Sequence, residues 1–319
     1  MKAIVYDRYG SPDLRETERP GIEDEGVLVR VRAASVNPFD WHYLTGTPYL
    51  VRPQVGLLRP RRGLLGVDFA GTVEAVGPAV KQFQAGDEVF GGRIGALAEY
   101  VCARKVVAPK PANVTFEQAA SVPMAAITAL QALRDKGQIQ AGQTVLINGA
   151  SGGVGTFAVQ IAKSFGADVT AVCSTRNVDT VRSIGADRVI DYTQDDFVRS
   201  GQRHDLMVDV AGNRSWSDCK RVLTDTATLV VVGGRKTNRW IGPMGHAVKV
   251  RLVSLVGGRK VVAPFVATLK KDDLAFLGEL LETGALTPVI ERRYELSEAA
   301  EALRYVGTGH AQGKLVITI

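Results

Sequence analysis

Short β-rich apolar runs alternate with glycine and proline punctuation through the first hundred or so residues. They lie at Met1 to Tyr6, Val27 to Ala33, Asp68 to Val76, Glu88 to Phe90 and Ala98 to Val101. That stretch reads as mainly β. From Thr115 the pattern changes: Thr115 and Gln118 have capping-box spacing ahead of an apolar, helix-like segment ending near Arg134, which Pro123 is expected to break in two. Strand and helix then alternate. Strands are predicted at Thr144 to Asn148, Asp168 to Cys173, Arg188 to Asp191, Leu206 to Val210, Leu229 to Val232 and near Leu252 to Val256, with helices at Val154 to Phe165 and around Val178 to Ile184. Strands spaced by helices of this length imply parallel pairing with right-handed crossovers, hence a doubly wound sheet. Helices at Asp272 to Thr283 and Glu298 to Val306 and a last strand at Leu315 to Ile319 complete the pattern.

Length and composition narrow the class. At 319 residues the chain is near the size at which one core gives way to two, and 45% apolar with 23% charged residues fits an ordinary α/β protein. No apolar run reaches the roughly eighteen residues of a membrane span, and the N-terminus opens directly on a strand-like run, so a soluble, unprocessed protein is expected. Cys102, Cys173 and Cys219 lie far apart and form no CxxC pair, which suits a reducing cytoplasm. The net charge of +6 raises nucleic acid as a partner. The basic residues are, however, scattered in short runs, Arg59 to Arg62, Arg235 to Arg239 and Lys270 to Lys271, without interleaved aromatics, which argues against that as the main role.

The segment with the clearest chemistry is the strand Thr144 to Asn148 running into Gly149, Gly152, Gly153 and Gly155 and then into an amphipathic helix. Glycines there let backbone N–H groups of Ser151, Gly152, Gly153, Val154 and Gly155 approach a pyrophosphate, and the helix N-terminus adds partial positive charge. The competing reading is a turn that only packs strand on helix. At the end of the second strand an NAD site carries an acid for the ribose hydroxyls; here the chain reads Cys173-Ser174-Thr175-Arg176-Asn177, with none. A hydroxyl and a guanidinium suit a 2′-phosphate, so NADPH is the expected cofactor, against a merely solvated Arg176.

With its Ala150-Ser151-Gly152-Gly153, Gly155, Gln160 and Lys163, the chain resembles the zinc-independent quinone oxidoreductase (zeta-crystallin-like) branch of the medium-chain dehydrogenase/reductase superfamily. Ser35-Val36-Asn37-Pro38 with Asp40, Gly66-Val67-Asp68-Phe69-Ala70-Gly71, Asp191-Tyr192 and Gly313-Lys314-Leu315-Val316 extend the resemblance over essentially the whole chain. It implies an α/β fold in which a GroES-like mainly β domain, residues 1–122 and 264–319, accompanies a Rossmann domain, residues 123–263, with substrate entering between them and a homodimer as the assembly. It also implies that Ser174, Arg176 and Tyr192 hold the 2′-phosphate and that Gly233, Gly234 and Lys314 line the cofactor's surroundings. Zinc-dependent members carry a cysteine ligand near Asn37 and a histidine where this chain has Val67, so no metal is expected.

Without a metal, charge building on an acceptor oxygen must be met by hydrogen-bond donors, which favours quinones and conjugated enones over simple alcohols. Asn37 is the candidate donor, its alternative being a structural cap before Pro38. Asp40 orients a neighbour or is an ordinary helix-cap acid, and Tyr49, Tyr43 and His42 are candidates to line a pocket or relay a proton. The expected activity is NADPH-dependent reduction of quinones or conjugated carbonyls. Two alternatives stay open: a carbon–carbon double-bond reductase of enones or enoyl thioesters, and a non-catalytic NADPH-binding sensor or structural protein.

Overall fold

The computed structural model describes residues 1–61, 63–234, 239–240, 242, 244–254, 260–263 and 265–319. Arg62 and most of the basic run Arg235 to Arg239 lie outside the described residues. The chain divides into two compact units, one built from Met1–Ile127, Leu269–Gly284 and Pro288–Ile319, the other from Thr128–Thr268 and Ala285–Thr287.

In chain order the first unit begins with β1 (Lys2–Val5), β2 (Asp13–Glu16) and β3 (Val27–Val36), followed by helices α1 (Pro38–Thr45) and α2 (Arg52–Val55). Then come β4 (Asp68–Val76), β5 (Glu88–Gly92), β6 (Tyr100–Ala103) and β7 (Val107–Pro109). Helices α3 (Phe116–Ala120) and α4 (Pro123–Leu130) are separated where Pro123 cannot supply an N–H. The capping box forms as expected: Gln118 N–H donates to Thr115 Oγ1 at 3.2 Å, and Thr115 N–H donates to Gln118 Oε1 at 2.9 Å.

The second unit holds β8 (Thr144–Asn148), α5 (Gly153–Ser164), β9 (Asp168–Cys173), α6 (Val178–Ser183), β10 (Arg188–Asp191) and β11 (His204–Asp209). It continues with α7 (Trp216–Arg221), β12 (Leu223–Val231), α8 (Met244–Ser254) and β13 (Lys260–Val262). The chain then supplies α9 (Lys271–Glu282), β14 (Ile290–Glu295), α10 (Ala299–Thr308) and β15 (Lys314–Thr318) to the first unit.

Among the described residues the second unit's sheet has six strands, all parallel, in the order β10-β9-β8-β11-β12-β13. The order reverses at β8, whose successors in sequence lie on one side and whose later partner β11 lies on the other. Ligands of such sheets sit outside the carboxyl ends of the strands at that reversal. Its core includes Leu146, Met207, Leu229 and Val261 against Trp216 and Val250.

The first unit's sheet runs β14-β15-β3-β4-β5-β7, with β6 also pairing β3. Among its apolar clusters, one contains Phe69, Val29 and Val89 and another Tyr6, Leu44, Leu303 and Ile317. The C-terminal strand β15 pairs antiparallel with β3, placing Leu315 opposite Val36, while Ser35 of β3 stands opposite Asp68 of β4.

Two readings of the pattern need correction. The strand expected near Leu252 to Val256 is helix through Ser254, with Leu255 and Val256 outside the described residues, and the edge strand is instead β13. The β-branched run misleads because burial follows helical spacing: Ala247, Val250 and Ser254 are buried while Val248 and Leu252 are exposed. Strand β14 was not anticipated, since Glu291, Arg292, Arg293 and Glu295 mask a strand whose pairing with β15 is parallel.

Candidate functional site

The carboxyl ends of β8 and β9 build a backbone cradle. Gly149 leaves β8 with φ of 88°, a conformation few L side chains adopt, and Gly149 and Ala150 N–H both donate to Val172 O of β9. Gly152 caps α5, and a Cβ added at Gly155 would lie 2.1 Å from Gly149 O, so only glycine permits this closeness of helix and turn. The N–H groups of Gly153, Val154 and Gly155 fall in the first turn of α5, where a helix has no internal acceptors to offer them. Those donors suit an anion.

At the adjoining rim β9 delivers Ser174, with Thr175, Arg176 and Asn177 in a short 3₁₀ turn after it. Tyr192, the residue after β10, is brought alongside by the register Asp191 to Cys173, and its N–H donates to Cys173 O at 3.0 Å. Arg176 and Tyr192 are exposed at this rim, the tyrosine at 56%. Buried Cys173 is pushed up to about 11 by burial and then by Asp191, and so does not ionise near neutrality. Asp191 of β10 stands in register with Cys173, but Thr193 N–H, Thr193 Oγ1 and Gln194 Nε2 donate to it at 2.9, 2.7 and 3.1 Å. Together with a hydroxyl hydrogen bond from Thr175, the largest influence, these donors hold its carboxyl below the usual range.

Sequence reading passed over Asn177. It is 5% exposed, and its Nδ2 donates to Ser174 Oγ at 3.0 Å and to Ser151 Oγ at 3.2 Å. It also passed over a network beneath the ends of β8 and β11. Asn148 Nδ2 donates to Asp209 Oδ1 at 2.8 Å and to Asn213 Oδ1 at 3.0 Å, and Gly212 N–H donates to Asp209 Oδ1 at 2.9 Å. Burial pushes the Asp209 carboxyl up, against the pull of these donors. Gly233 N–H donates to Asp209 O at 3.2 Å, and a Cβ at Gly233 would lie 1.9 Å from Val210 O, so the Gly233-Gly234 turn is pressed against the end of β11. A polar residue closing each apolar run, Thr144-Val-Leu-Ile-Asn148 and Leu206-Met-Val-Asp209, was the available signal.

The first unit holds a separate buried polar cluster. The register of β15, β3 and β4 gathers Lys314, Asn37 and Asp68, each at most 3% exposed. Lys314 Nζ donates to Asn37 Oδ1 at 2.6 Å and lies 3.6 Å from Asp68 Oδ2. Asp68 Oδ2 also accepts from Asn37 Nδ2 at 2.9 Å and Ser35 Oγ at 3.0 Å, and its Oδ1 accepts from Met124 N–H at 3.0 Å. Asp40, in the first turn of α1, accepts from Asn37 N–H at 2.7 Å. Burial, then the proximity of Asp68, pushes Asp40 up to about 7, while burial pulls the Lys314 ammonium down against the opposing effect of the two acids. Asn37 thus caps α1 and is gripped on both sides of its amide.

The remaining candidates lie on the turn after α1. His42 Nδ1 is 2.6 Å from Thr47 O, the Tyr43 ring lies 4.2 Å from that of Phe39, and the Arg52 guanidinium sits 4.4 Å over the Tyr49 ring. A zinc ion does not suit these residues. Among the described residues no three His, Cys, Asp or Glu side chains converge on one point, Val67 offers no ligand, and the charge of Asp68 faces the Lys314 ammonium. No described helix is long and apolar enough to cross a membrane.

Comparison with known proteins finds two family matches: residues 23–112 match the alcohol dehydrogenase GroES-like domain, and residues 184–317 match the family described as zinc-binding dehydrogenase. Along 99% of its length the chain is 34% identical to a chloroplastic quinone oxidoreductase of Triphysaria versicolor, of which it covers 98%. It is 33% identical, over 99% of its length and 79% of the relative's, to a chloroplastic NADPH-dependent alkenal/one oxidoreductase of Arabidopsis thaliana. Among solved structures, the quinone oxidoreductase of Coxiella burnetii superposes with a TM-score of 0.86 at 31% identity, covering 100% of this chain and 99% of that one.

Proposed function

Because the chain belongs to the quinone oxidoreductase branch of the medium-chain dehydrogenase/reductase superfamily, we propose that it reduces quinones or conjugated carbonyls with NADPH. The observation that carries the cofactor assignment is the rim of β9: Ser174 and Arg176 stand where an NAD enzyme presents an acid, with Tyr192 alongside, next to a glycine cradle whose first-turn helix N–H groups have no acceptor within the helix. These residues fit a dinucleotide carrying a 2′-phosphate. When bound, NADPH supplies a hydride.

The chain's own residues then have distinct tasks. The first-turn N–H groups of Gly153, Val154 and Gly155 hold the pyrophosphate; Ser174, Arg176 and Tyr192 hold the 2′-phosphate; the Gly233-Gly234 turn leaves room for the cofactor's remainder. Asn37 and Asp40 are so fully buried that we assign them to bracing α1, with Tyr49 left as the more accessible candidate to meet a substrate. The donor set does not suit a Lewis-acid metal, so the favoured acceptor is one that delocalises its own developing charge, a quinone or an enone. Reduction of the carbon–carbon double bond of an enone is a second reading, favoured by the similarity to the Arabidopsis alkenal/one oxidoreductase. A reducing cytoplasm suits the three buried, unpaired thiols.

Steady-state NADPH oxidation against a panel of benzoquinones, alkenals and enones tests the proposal, with NADP⁺-linked ethanol oxidation as the contrast. Turnover of the conjugated acceptors is expected. Ready ethanol oxidation with no reaction on the panel would overturn it.

A further inference from the structure

Asn177 joins two segments 26 residues apart, the turn between β8 and α5 through Ser151 and the end of β9 through Ser174. In both contacts the amide Nδ2 is the donor, and each serine oxygen is the acceptor. A hydroxyl that accepts in this way keeps its own proton for another partner. Among the described residues neither Ser151 nor Ser174 passes that proton to a protein group, and both side chains are only half-buried. The amide itself is nearly sealed from solvent, at 5% exposure, so its orientation is set by protein.

We propose that Asn177 is a positioning residue that sets the polarity of the 2′-phosphate pocket. By donating to both hydroxyls it makes Ser151 and Ser174 a pair of outward donors, which a phosphate monoester can accept from and which a bare ribose hydroxyl uses less fully. This inference rests on the reading that the rim of β9 takes NADPH. Asn177 never touches the phosphate; it decides which way two protons point. Arg176 supplies charge at the same rim, and Asn177 supplies the orientation of the neutral donors.

Asn177→Asp is the discriminating change, because it keeps size and shape but turns the donor into an acceptor. Both serine protons would then point inward to the carboxylate, leaving lone pairs and a nearby negative charge facing the ligand. Calorimetric titration of the full chain with 2′,5′-ADP and with 5′-AMP reads the effect apart from catalysis. Wild type should prefer 2′,5′-ADP. Asn177→Asp should weaken 2′,5′-ADP by about ten- to a hundred-fold and 5′-AMP by no more than about two-fold. Asn177→Ala, which frees the hydroxyls without reversing them, should fall between, and it is read by the same ratio if the Asp variant melts early. Parallel losses for both ligands would mean Asn177 is only a structural tie, and an unchanged preference in Asn177→Asp would mean the amide presents its oxygen to the serines; either result overturns the inference while leaving the NADPH reading standing. A wild type that does not prefer 2′,5′-ADP overturns both.

Discussion

Lys314→Met removes the ammonium that lies 3.6 Å from Asp68 Oδ2 and 2.6 Å from Asn37 Oδ1, and keeps a flexible side chain of similar reach. Asp68 has no exposed surface, so water cannot replace the lost cation. Its remaining partners, Ser35 Oγ, Asn37 Nδ2 and Met124 N–H, are neutral donors. At 3.6 Å two unit charges attract by about 5 kcal/mol for an effective dielectric of about 20, in line with the roughly 3–5 kcal/mol measured when one partner of a buried pair is removed. The first unit should lose stability of that order at pH 7.5. The loss should also depend on pH. Burial raises the Asp68 carboxyl and Lys314 holds it back; without Lys314 it rises further above its unfolded value near 4. The folded variant then binds more protons than the unfolded chain above about pH 4, so its stability falls as pH rises through that window and recovers on acidification. Urea unfolding followed by circular dichroism and tryptophan fluorescence reads this, since Trp41 packs against the first unit's core and Trp216 against the second's. Adding Asp68→Asn to Lys314→Met should restore more than half of the loss. A single variant within about 1 kcal/mol of wild type, or a large loss that neither acid nor the second substitution relieves, would refute the argument that an uncompensated buried charge is responsible.

Gly155→Ala should abolish measurable NADPH binding in a fluorescence titration, because its Cβ would fall 2.1 Å from Gly149 O; retained binding would remove the turn from the cofactor site. Arg176→Ala should weaken NADPH by about ten- to a hundred-fold and NADH by no more than about two-fold in the same titration, and equal losses would place the 2′-phosphate elsewhere. Asp40 is pushed up to about 7 in the fold, so wild type should lose stability relative to Asp40→Asn as pH rises from about 4 to 7; a pH-independent difference in urea midpoint would contradict that sign. Elemental analysis of the purified protein should find no stoichiometric zinc and chelator should leave turnover intact, whereas one zinc per chain required for activity would undo the metal-free chemistry.

The sequence alone determined whatever is dictated by neighbours in the chain. Strand, glycine turn and helix from Thr144 to Ser164 are legible because the turn needs glycine where the backbone reverses and the helix needs its apolar stripe, and both requirements are written within about twenty residues. The parallel α/β alternation follows from the same local periods, as does the break at Pro123. Tertiary structure decided which distant polar groups meet. Lys314 reaches Asn37 across 277 residues only because β15 pairs with β3 in one register, and a one-residue slip would turn that side chain to the other face. The serines joined by Asn177 belong to two different βα connections, so neither segment read singly reveals their shared donor. Helix α8 and strand β14 were misread or missed for the same reason: Val253, within the run expected as strand, carries a β-branched preference that packing overrides, and the charges of β14 are accommodated by a sheet edge. Local sequence fixes backbone preference, while burial and pairing, which sum over the whole chain, choose among the structures that preference allows.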